Sequence, residues 1–345
     1  MRFFNTAGPN DLQRHYTLPP LERFDLDEVL MLIEQQKYFV LHAPRQTGKT
    51  TCLLALGDYL NAQGRYRCVY FNVEMGQSAR ENVDAALRAI LGQLGLQAEF
   101  ALQDRFVTDH FSKSLAQQGG HGALVDVLSR WAAASPKPLI LLIDEIDALV
   151  GDTLIAVLRQ LRAGYANRPR QFPQSVMLCG VRDVRDYRIH SSAEKSIITG
   201  GSAFNIKTKS LRLGDFVESE VRSLYQQHTR ETGQPFEPAA LERLWELGQG
   251  QPWLTCALGY EVCFEMKVNR DRSRPITREM VDQAKENLIL RRETHLDQLI
   301  DKLQEERVRR VVEPLLVGSE EAERIPSDDL QYAQDLGLIK IDRQV

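Results

Sequence analysis

The first 214 residues alternate between short apolar runs without a polar face and longer segments with apolar residues at helical spacing. Residues 139–143 are the clearest run, because five consecutive aliphatic residues are typical of a strand buried on both faces. Similar runs predict strands at residues 38–41, 67–72 and 175–179, and a last edge strand at 210–213. Helical spacing predicts helices at residues 21–36, from Lys49 to near Gly64, and at 78–94, 121–134 and 153–166. This alternation predicts an α/β fold with a parallel sheet and helices on both of its faces.

The pattern changes near residue 214. A stretch rich in Ser, Gly, Thr and Lys, residues 189–209, predicts a loop just before this point. Beyond it only helical spacing is found, at residues 217–232, 238–247, 253–266 and 277–292. We therefore expect an N-terminal arm over residues 1–20, an α/β core over 21–214 and an all-helical domain over 215–292.

The last 53 residues, 293–345, predict a small module of their own. Residues 295–316 and 327–336 have helical spacing, and residues 337–341 are typical of a strand. Two helices followed by a strand suggest a winged helix, but a wing needs two strands. Either this module is incomplete or another element completes it.

Composition limits the class of protein. The chain has 345 residues, enough for two or three domains, and a net charge of -4, which gives no overall attraction to nucleic acid or anionic lipid. No apolar run approaches the roughly 18 residues of a membrane span, and the N-terminus lacks the apolar segment of a signal peptide. We expect a soluble, cytoplasmic protein. Its five cysteines are scattered among apolar neighbours, which predicts reduced core residues.

The segment after the first predicted core strand has the pattern of a phosphate-binding loop. It resembles G-x-x-x-x-G-K-[ST]. Ala43 replaces the first glycine, and Gly48 is the second glycine. Backbone N–H groups and the start of the next helix would face the phosphates, Lys49 would add a positive charge, and the Thr50 hydroxyl would bind Mg²⁺. The predicted nucleotide-binding residues are Ala43, Pro44, Arg45, Gln46, Thr47, Gly48, Lys49, Thr50 and Thr51. By itself, a Gly-Lys-Thr on an ordinary strand-to-helix turn would explain the same residues.

Two carboxylates follow the most apolar strand. Asp144 and Glu145 come directly after residues 139–143, at the sheet edge where ligands of open α/β folds bind. We predict that Asp144 holds Mg²⁺, directly or through water, and that Glu145 orients and deprotonates the attacking water. Together with the loop at 43–50, this pair predicts ATP and Mg²⁺ as cofactors, although an ordinary strand end would also explain it in isolation.

Two further positions are candidates for contact with the nucleotide. Arg182 follows the predicted strand at 175–179 and could reach the γ-phosphate; the alternative is a surface arginine paired with Asp183 or Asp186. In the arm, Tyr16 or Leu18 could cover the adenine, and the alternative is an arm packed on the core.

The assembled motifs resemble the STAND NTPases, relatives of the AAA+ ATPases. The resemblance rests on the loop at 43–50, on Asp144-Glu145, on Arg182 and on Gly250-Gln-Pro252. Residues 202–206, 211–216 and 250–254 resemble more closely a bacterial group of AAA-like-domain ATP-binding proteins. The resemblance implies a P-loop NTPase core followed by a helical lid and a winged helix. It also implies that Lys49, Glu145 and Arg182 act in catalysis and that Pro252 packs against the adenine, whereas a plain turn between helices is the other explanation for residues 250–252.

The first functional hypothesis is an ATP-binding, slowly hydrolysing switch whose nucleotide state controls the lid, with a protein partner or self-assembly in the ATP state. An arginine from a neighbouring subunit could complete the site, from residues 159–170 or 185–188. The second hypothesis is a nucleic-acid-binding ATPase resembling origin-recognition or transposition ATPases. Basic groups at Arg291-Arg292 and 307–310 favour it, but interleaved acidic residues are typical of a salt-bridged surface helix. A small-molecule kinase is disfavoured, because Asp144-Glu145 suits attack by water.

Overall fold

The computed structural model describes residues 1–184, 187–191, 196–291, 300–318 and 325–340. The chain divides into two compact units. We call the first the sheet unit; it contains Arg23–His42 and Cys52–Leu213. We call the second the helical unit; it contains Met1–Glu22, Ala43–Thr51 and Gly214–Val345.

Strands and helices are numbered along the chain. The strands are β1 (Phe3–Phe4), β2 (His15–Tyr16), β3 (Tyr38–His42), β4 (Arg67–Asn72), β5 (Leu139–Asp144), β6 (Ser175–Gly180), β7 (Arg188–Ser191), β8 (Ser196–Thr199) and β9 (Lys207–Arg212). The helices before residue 214 are α1 (Leu26–Glu34), α2 (Lys49–Gln63), α3 (Val83–Leu102), α4 (Phe106–Gln118), α5 (Gly120–Ala134), α6 (Gly151–Gly164) and α7 (Gly200–Ala203). Those after it are α8 (Glu218–Thr232), α9 (Pro238–Gly248), α10 (Pro252–Tyr260), α11 (Arg278–Arg291), α12 (Glu306–Val317) and α13 (Ser327–Asp335).

The sheet unit is built on five parallel strands in the order β4-β5-β6-β3-β9. Every residue of β3, β5 and β6 is buried, as expected for central strands covered by helices on both faces. The edge strand β9 is partly exposed. This parallel sheet flanked by helices confirms the predicted fold class and brings the carboxyl ends of β3, β5 and β6 to one edge.

The helical unit has its own core. Helices α8 to α11 bury apolar residues such as Leu224, Tyr225, Leu244 and Leu258, together with Phe4 from the N-terminal strand β1. Strands β1 and β2 pair in parallel with each other. The N-terminal arm therefore supplies core residues to this unit.

Several predicted elements needed correction. Helix α4 was missed, because residues 106–118 carry few apolar positions and only Val107, Ser114 and Leu115 are buried. The predicted helix at 78–94 is a 3-10 helix at Glu74–Ala79 followed by α3. The predicted loop at 189–209 contains the antiparallel pair β7 and β8, the short helix α7 and the start of β9.

The C-terminal segment confirms one predicted helix and part of another. Helix α13 matches the prediction at 327–336, and α12 covers the end of the predicted helix at 295–316, whose first residues lie outside the described ones. Residues 337–340 form no strand, and Ile341 lies outside the described residues. The winged helix stays a prediction.

The five cysteines are buried and free, which confirms them as core residues. Within the described ranges, none of the helices is both long and apolar enough to span a membrane.

Candidate nucleotide-binding site

The segment from Ala43 to Thr51 has the backbone of an anion-binding loop. It follows β3 directly in the chain and leads into α2 at Lys49. Gln46 and Gly48 adopt positive φ angles of 58° and 90°. Residues in the left-handed region that alternate with ordinary ones turn successive N–H groups toward a common point. Ala43 is fully buried and its φ is not positive, so its methyl group is compatible with the position where the motif has glycine.

Lys49 is buried within this loop, with 6% of its surface exposed. Its Nζ donates hydrogen bonds to the carbonyl oxygens of Ala43 and Pro44, at 2.9 and 2.8 Å. Both acceptors are neutral. A buried ammonium needs an anionic partner to offset the loss of hydration, so the loop suits a phosphate.

The three threonines of the loop have different environments. The Thr47 hydroxyl is buried and donates to the Pro44 carbonyl at 2.9 Å, which holds the loop closed on itself. Thr50 is half-buried in the first turn of α2, and the Thr51 hydroxyl accepts from the backbone N–H of Asn10 at 3.0 Å. Arg45 and Gln46 are exposed. Thr51 is thus engaged by the N-terminal arm.

In the sheet unit, Asp144 ends β5 and is completely buried. Its carboxylate accepts from the Tyr70 hydroxyl at 3.1 Å and from the backbone N–H of Glu145 at 2.9 Å. Glu145 has φ 57° and ψ 41°, a left-handed conformation that is uncommon for a residue with a side chain. Such conformations cost free energy and persist only where the surrounding structure offsets that cost. They are found most often at functional sites.

The Arg182 turn, residues 181–184, follows β6 at the same edge of the sheet. The Val181 N–H donates to Asp147 Oδ1 at 3.1 Å, and the Arg182 carbonyl accepts from the Tyr187 hydroxyl at 3.2 Å. Asp183 is buried and forms an ion pair with Lys207 at 2.5 Å. Asp183, one of the two carboxylates predicted as alternative partners for Arg182, thus contacts Lys207 of β9, and the other, Asp186, lies outside the described residues.

Pro252 lies in the helical unit as the first residue of α10 and is buried. The helix is capped by the Gln251 side chain, which accepts from the Leu254 N–H at 2.5 Å. Gly250 has φ 79°, and its carbonyl accepts from the Phe216 N–H at 2.8 Å. A side chain at Gly250 would collide with the Phe216 carbonyl. Glycine at position 250 therefore allows the close approach of the Phe216 backbone, a structural role that the family resemblance did not predict.

The position of Tyr16 argues against the predicted contact with adenine. Its ring is fully buried in the core of the helical unit, against Phe4 and His228, and its hydroxyl lies 3.4 Å from His228 Nδ1. A ring without exposed surface offers no face to a base. The structure instead favours the alternative, an arm packed on a core.

The predicted residues fall into two groups. The structure brings Asp144, Glu145 and Arg182 to one edge of the sheet unit, and it places Lys49 and Pro252 in the helical unit. Sequence reasoning missed Tyr70 and Asp147. Asp147 had a detectable signal, because it follows Glu145 by two residues at the same strand end, whereas Tyr70 reaches Asp144 from a neighbouring strand.

The donor set fits Mg²⁺ only with help from a ligand. Among the described residues no group of three His, Cys, Asp or Glu side chains could hold a metal ion. A buried carboxylate at a strand end, such as Asp144, is the kind of protein ligand that Mg²⁺ uses when phosphate oxygens and water supply most of its coordination.

Comparisons with known proteins agree with this geometry. Residues 33–187 match the family described as AAA domain. A Walker-type ATPase of Pyrococcus abyssi is similar in structure, with 14% identity, a TM-score of 0.58, and coverage of 99% of this chain and 95% of that one. Cdc6p of Pyrobaculum aerophilum is similar over 79% of this chain and 68% of that one, with 14% identity and a TM-score of 0.52. No curated protein matches the sequence. Residues 33–187 are therefore similar to an AAA domain, and the chain has the fold of the P-loop ATPases.

Proposed function

We propose that this protein is a molecular switch of the STAND or AAA-like kind, which binds ATP with Mg²⁺, hydrolyses it slowly and changes the state of its helical unit. The environment of Lys49 carries the proposal. A buried cation that donates only to neutral carbonyls in the bonds described above gains most when an anion enters the loop. Nucleotide phosphates provide that anion.

The two carboxylates at the end of β5 would have different roles in hydrolysis. Thr50 and Asp144 would hold the metal, which supplies positive charge to the phosphate oxygens. Glu145 is half-buried in its left-handed position and would orient and deprotonate water. Arg182, which follows β6 at this edge, would contact the γ-phosphate.

Contacts within the helical unit support a link from the loop to the lid helices. The Asn10 N–H donates to Thr51, beside the phosphate-binding residues, and the Trp253 indole donates to the Thr6 carbonyl at 3.1 Å. The arm thus connects the start of α2 with α10. Phosphate binding that moves Thr51 would be transmitted to Pro252 and its helix, and a switch requires such differential contacts in its two states.

The nucleic-acid hypothesis keeps the C-terminal helices as its support, but their basic residues are paired. Arg307 and Arg310 contact Asp329 at 3.2 and 3.0 Å, and Arg309 contacts Glu313 at 2.9 Å. These ion pairs reduce the charge available to a phosphate backbone. If the protein binds DNA with an affinity that falls steeply with salt, this second function is favoured over a protein partner.

The test compares Glu145→Gln with the native protein and with Glu242→Gln, an acid-to-amide change at an exposed position of α9. We expect Glu145→Gln to bind ATP normally. Its hydrolysis rate should be at least about 100-fold lower than that of the native protein, because general bases contribute factors of that order. Glu242→Gln should match the native protein. ATP binding by fluorescence, phosphate release and molecular mass by light scattering are measured together. Normal hydrolysis by Glu145→Gln would show that another residue activates water.

A further inference from the structure

Asp147 is a third carboxylate at the edge where β5 ends, and the proposed function gives it no role. It lies two residues after Glu145, in the 3-10 helix Ile146–Ala148, and is half-buried. Its Oδ1 accepts a hydrogen bond from the Val181 N–H at 3.1 Å. Val181 immediately precedes Arg182, so one side chain joins the Glu145 segment to the Arg182 turn.

Gly180 shows that this contact is built into the fold. Its φ is not in the left-handed region, so backbone conformation alone does not require glycine there. An added Cβ would lie 2.6 Å from Asp147 Oδ1 and 3.1 Å from the Tyr187 hydroxyl. Real Cβ atoms essentially never approach another atom as closely as 2.6 Å. The glycine therefore leaves room for Asp147 to reach β6.

The Arg182 turn is held from three directions. The Tyr187 hydroxyl donates to the Arg182 carbonyl, and burial raises the pKa of Tyr187 well above its ordinary value, with the Asp147 carboxylate adding to the effect. Tyr187 thus remains a protonated donor. On the other side, Asp183 pairs with Lys207. These two contacts fix the turn itself, and Asp147 alone among the three leads back to Glu145.

The Glu145 segment is equally constrained. The Glu145 carbonyl accepts from the Ala148 N–H at 2.9 Å, which closes the 3-10 turn that carries Asp147. The Glu145 N–H donates to Asp144 Oδ1. A displacement of the Asp147 carboxylate would therefore be transmitted to the backbone that holds Glu145 in its left-handed conformation.

We propose that Asp147 is a positioning residue that couples the Arg182 turn to the Glu145 turn, so that occupancy of the γ-phosphate position, felt at Arg182, orients the Glu145 carboxylate for water activation. This inference rests on the proposed roles of Glu145 and Arg182. The hydrogen bond itself does not, and it can be tested separately.

The experiment compares Asp147→Ala with Asp147→Asn, which keeps an oxygen able to accept from the Val181 N–H. Amide hydrogen exchange is followed in peptides covering residues 145–149 and 181–184, with and without ATP. We expect faster exchange in both peptides for Asp147→Ala and native exchange for Asp147→Asn. In steady-state hydrolysis, kcat of Asp147→Ala should fall about 10- to 100-fold, as for other residues that orient a catalytic group, while KM changes by less than about 3-fold.

A second variant distinguishes loss of the Asp147 contact from a general loss of folding. Gly180→Ala keeps the carboxylate but adds the methyl group that would push it away from β6, so it should reproduce the exchange and kcat changes of Asp147→Ala. Lys207→Met should speed exchange at 181–184 only. The proposal is overturned if Asp147→Ala and Gly180→Ala alter one peptide without the other, or if KM rises while kcat is kept. If the native protein does not hydrolyse ATP, the proposed function fails, and the exchange data still decide whether Asp147 links the two turns.

Discussion

Lys49 and Lys207 both have side chains with little exposed surface, but their surroundings are opposite. Lys49, in the phosphate-binding loop, is 6% exposed and donates to two neutral carbonyl oxygens. The Lys207 side chain, at the start of β9, is 7% exposed and lies 2.5 Å from the Asp183 carboxylate. One buried cation therefore has an anionic partner within the fold, and the other is held by dipoles.

The difference separates a structural charge from a binding charge. A paired cation is satisfied within the protein, so removing it leaves a buried carboxylate without its partner. Carbonyl groups alone offset less of the hydration that a buried cation loses. An anionic ligand can offset the remainder, and this favours its binding. We therefore expect the same substitution, Lys→Met, to have opposite consequences at the two positions, since methionine keeps the apolar stem and removes the charge.

The largest effect is expected for Lys49→Met on ATP binding. Loss of a buried charge that contacts phosphate should weaken ATP binding by about 1,000-fold, within the range measured for truncation of buried charge pairs. Competition with a fluorescent ATP analogue measures it. The free energy of unfolding without nucleotide should stay the same or increase, and a large loss would show that Lys49 mainly stabilises the fold.

Lys207→Met should lower the stability of the protein and have only a small effect on ATP binding. Breaking the pair with Asp183 should lower the free energy of unfolding by about 3 kcal/mol, because the remaining carboxylate is buried. ATP affinity should change by less than about 3-fold. Denaturant unfolding measures the loss. The double variant Asp183→Asn/Lys207→Met should lose less than the sum of the two single variants, and simple additivity would contradict the pairing.

A third buried basic group, His228 in the helical unit, should give the smallest effect. Burial, with a further contribution from Arg272, lowers its pKa below 6.5, against the opposing effects of Gln234 and Glu231. The unfolded chain therefore binds the proton more readily, and stability should fall as pH drops below about 6.5. His228→Gln should weaken this dependence in melting temperatures recorded between pH 7 and 5. An unchanged slope would mean that other groups, such as His15, whose pKa is also lowered by burial, account for it.

Structure and chemistry were most predictable from the sequence where the residue types follow a regular pattern. Five aliphatic residues in a row at β5 have no other explanation than a strand buried on both faces, so the strand and the edge carrying Asp144 and Glu145 were predictable. The loop at 43–51 was predictable as well, because glycine, lysine and threonine at fixed spacing suit phosphate. Helix α4 lacks such repetition, since most of its side chains face solvent.

Contacts between distant residues could not be predicted. The Tyr16 ring is buried against Phe4 and His228, and no local pattern distinguishes a buried tyrosine from one that stacks on a base. The same holds for Asp147 and Val181, which are 34 residues apart and meet only because β5 and β6 are neighbours. Gly250 was recognised from a motif, but its reason, the approach of the Phe216 backbone, required the structure.

The most direct test of the account is the change in melting temperature that ATP with Mg²⁺ produces in the native protein, in Lys49→Met and in Lys207→Met. A ligand that binds only the folded state raises the melting temperature. We predict an increase for the native protein and for Lys207→Met, whose starting melting temperature is lower, and no increase for Lys49→Met, whose starting melting temperature is native or higher. An increase in Lys49→Met equal to that of the native protein would contradict the claim that Lys49 is the phosphate-binding charge.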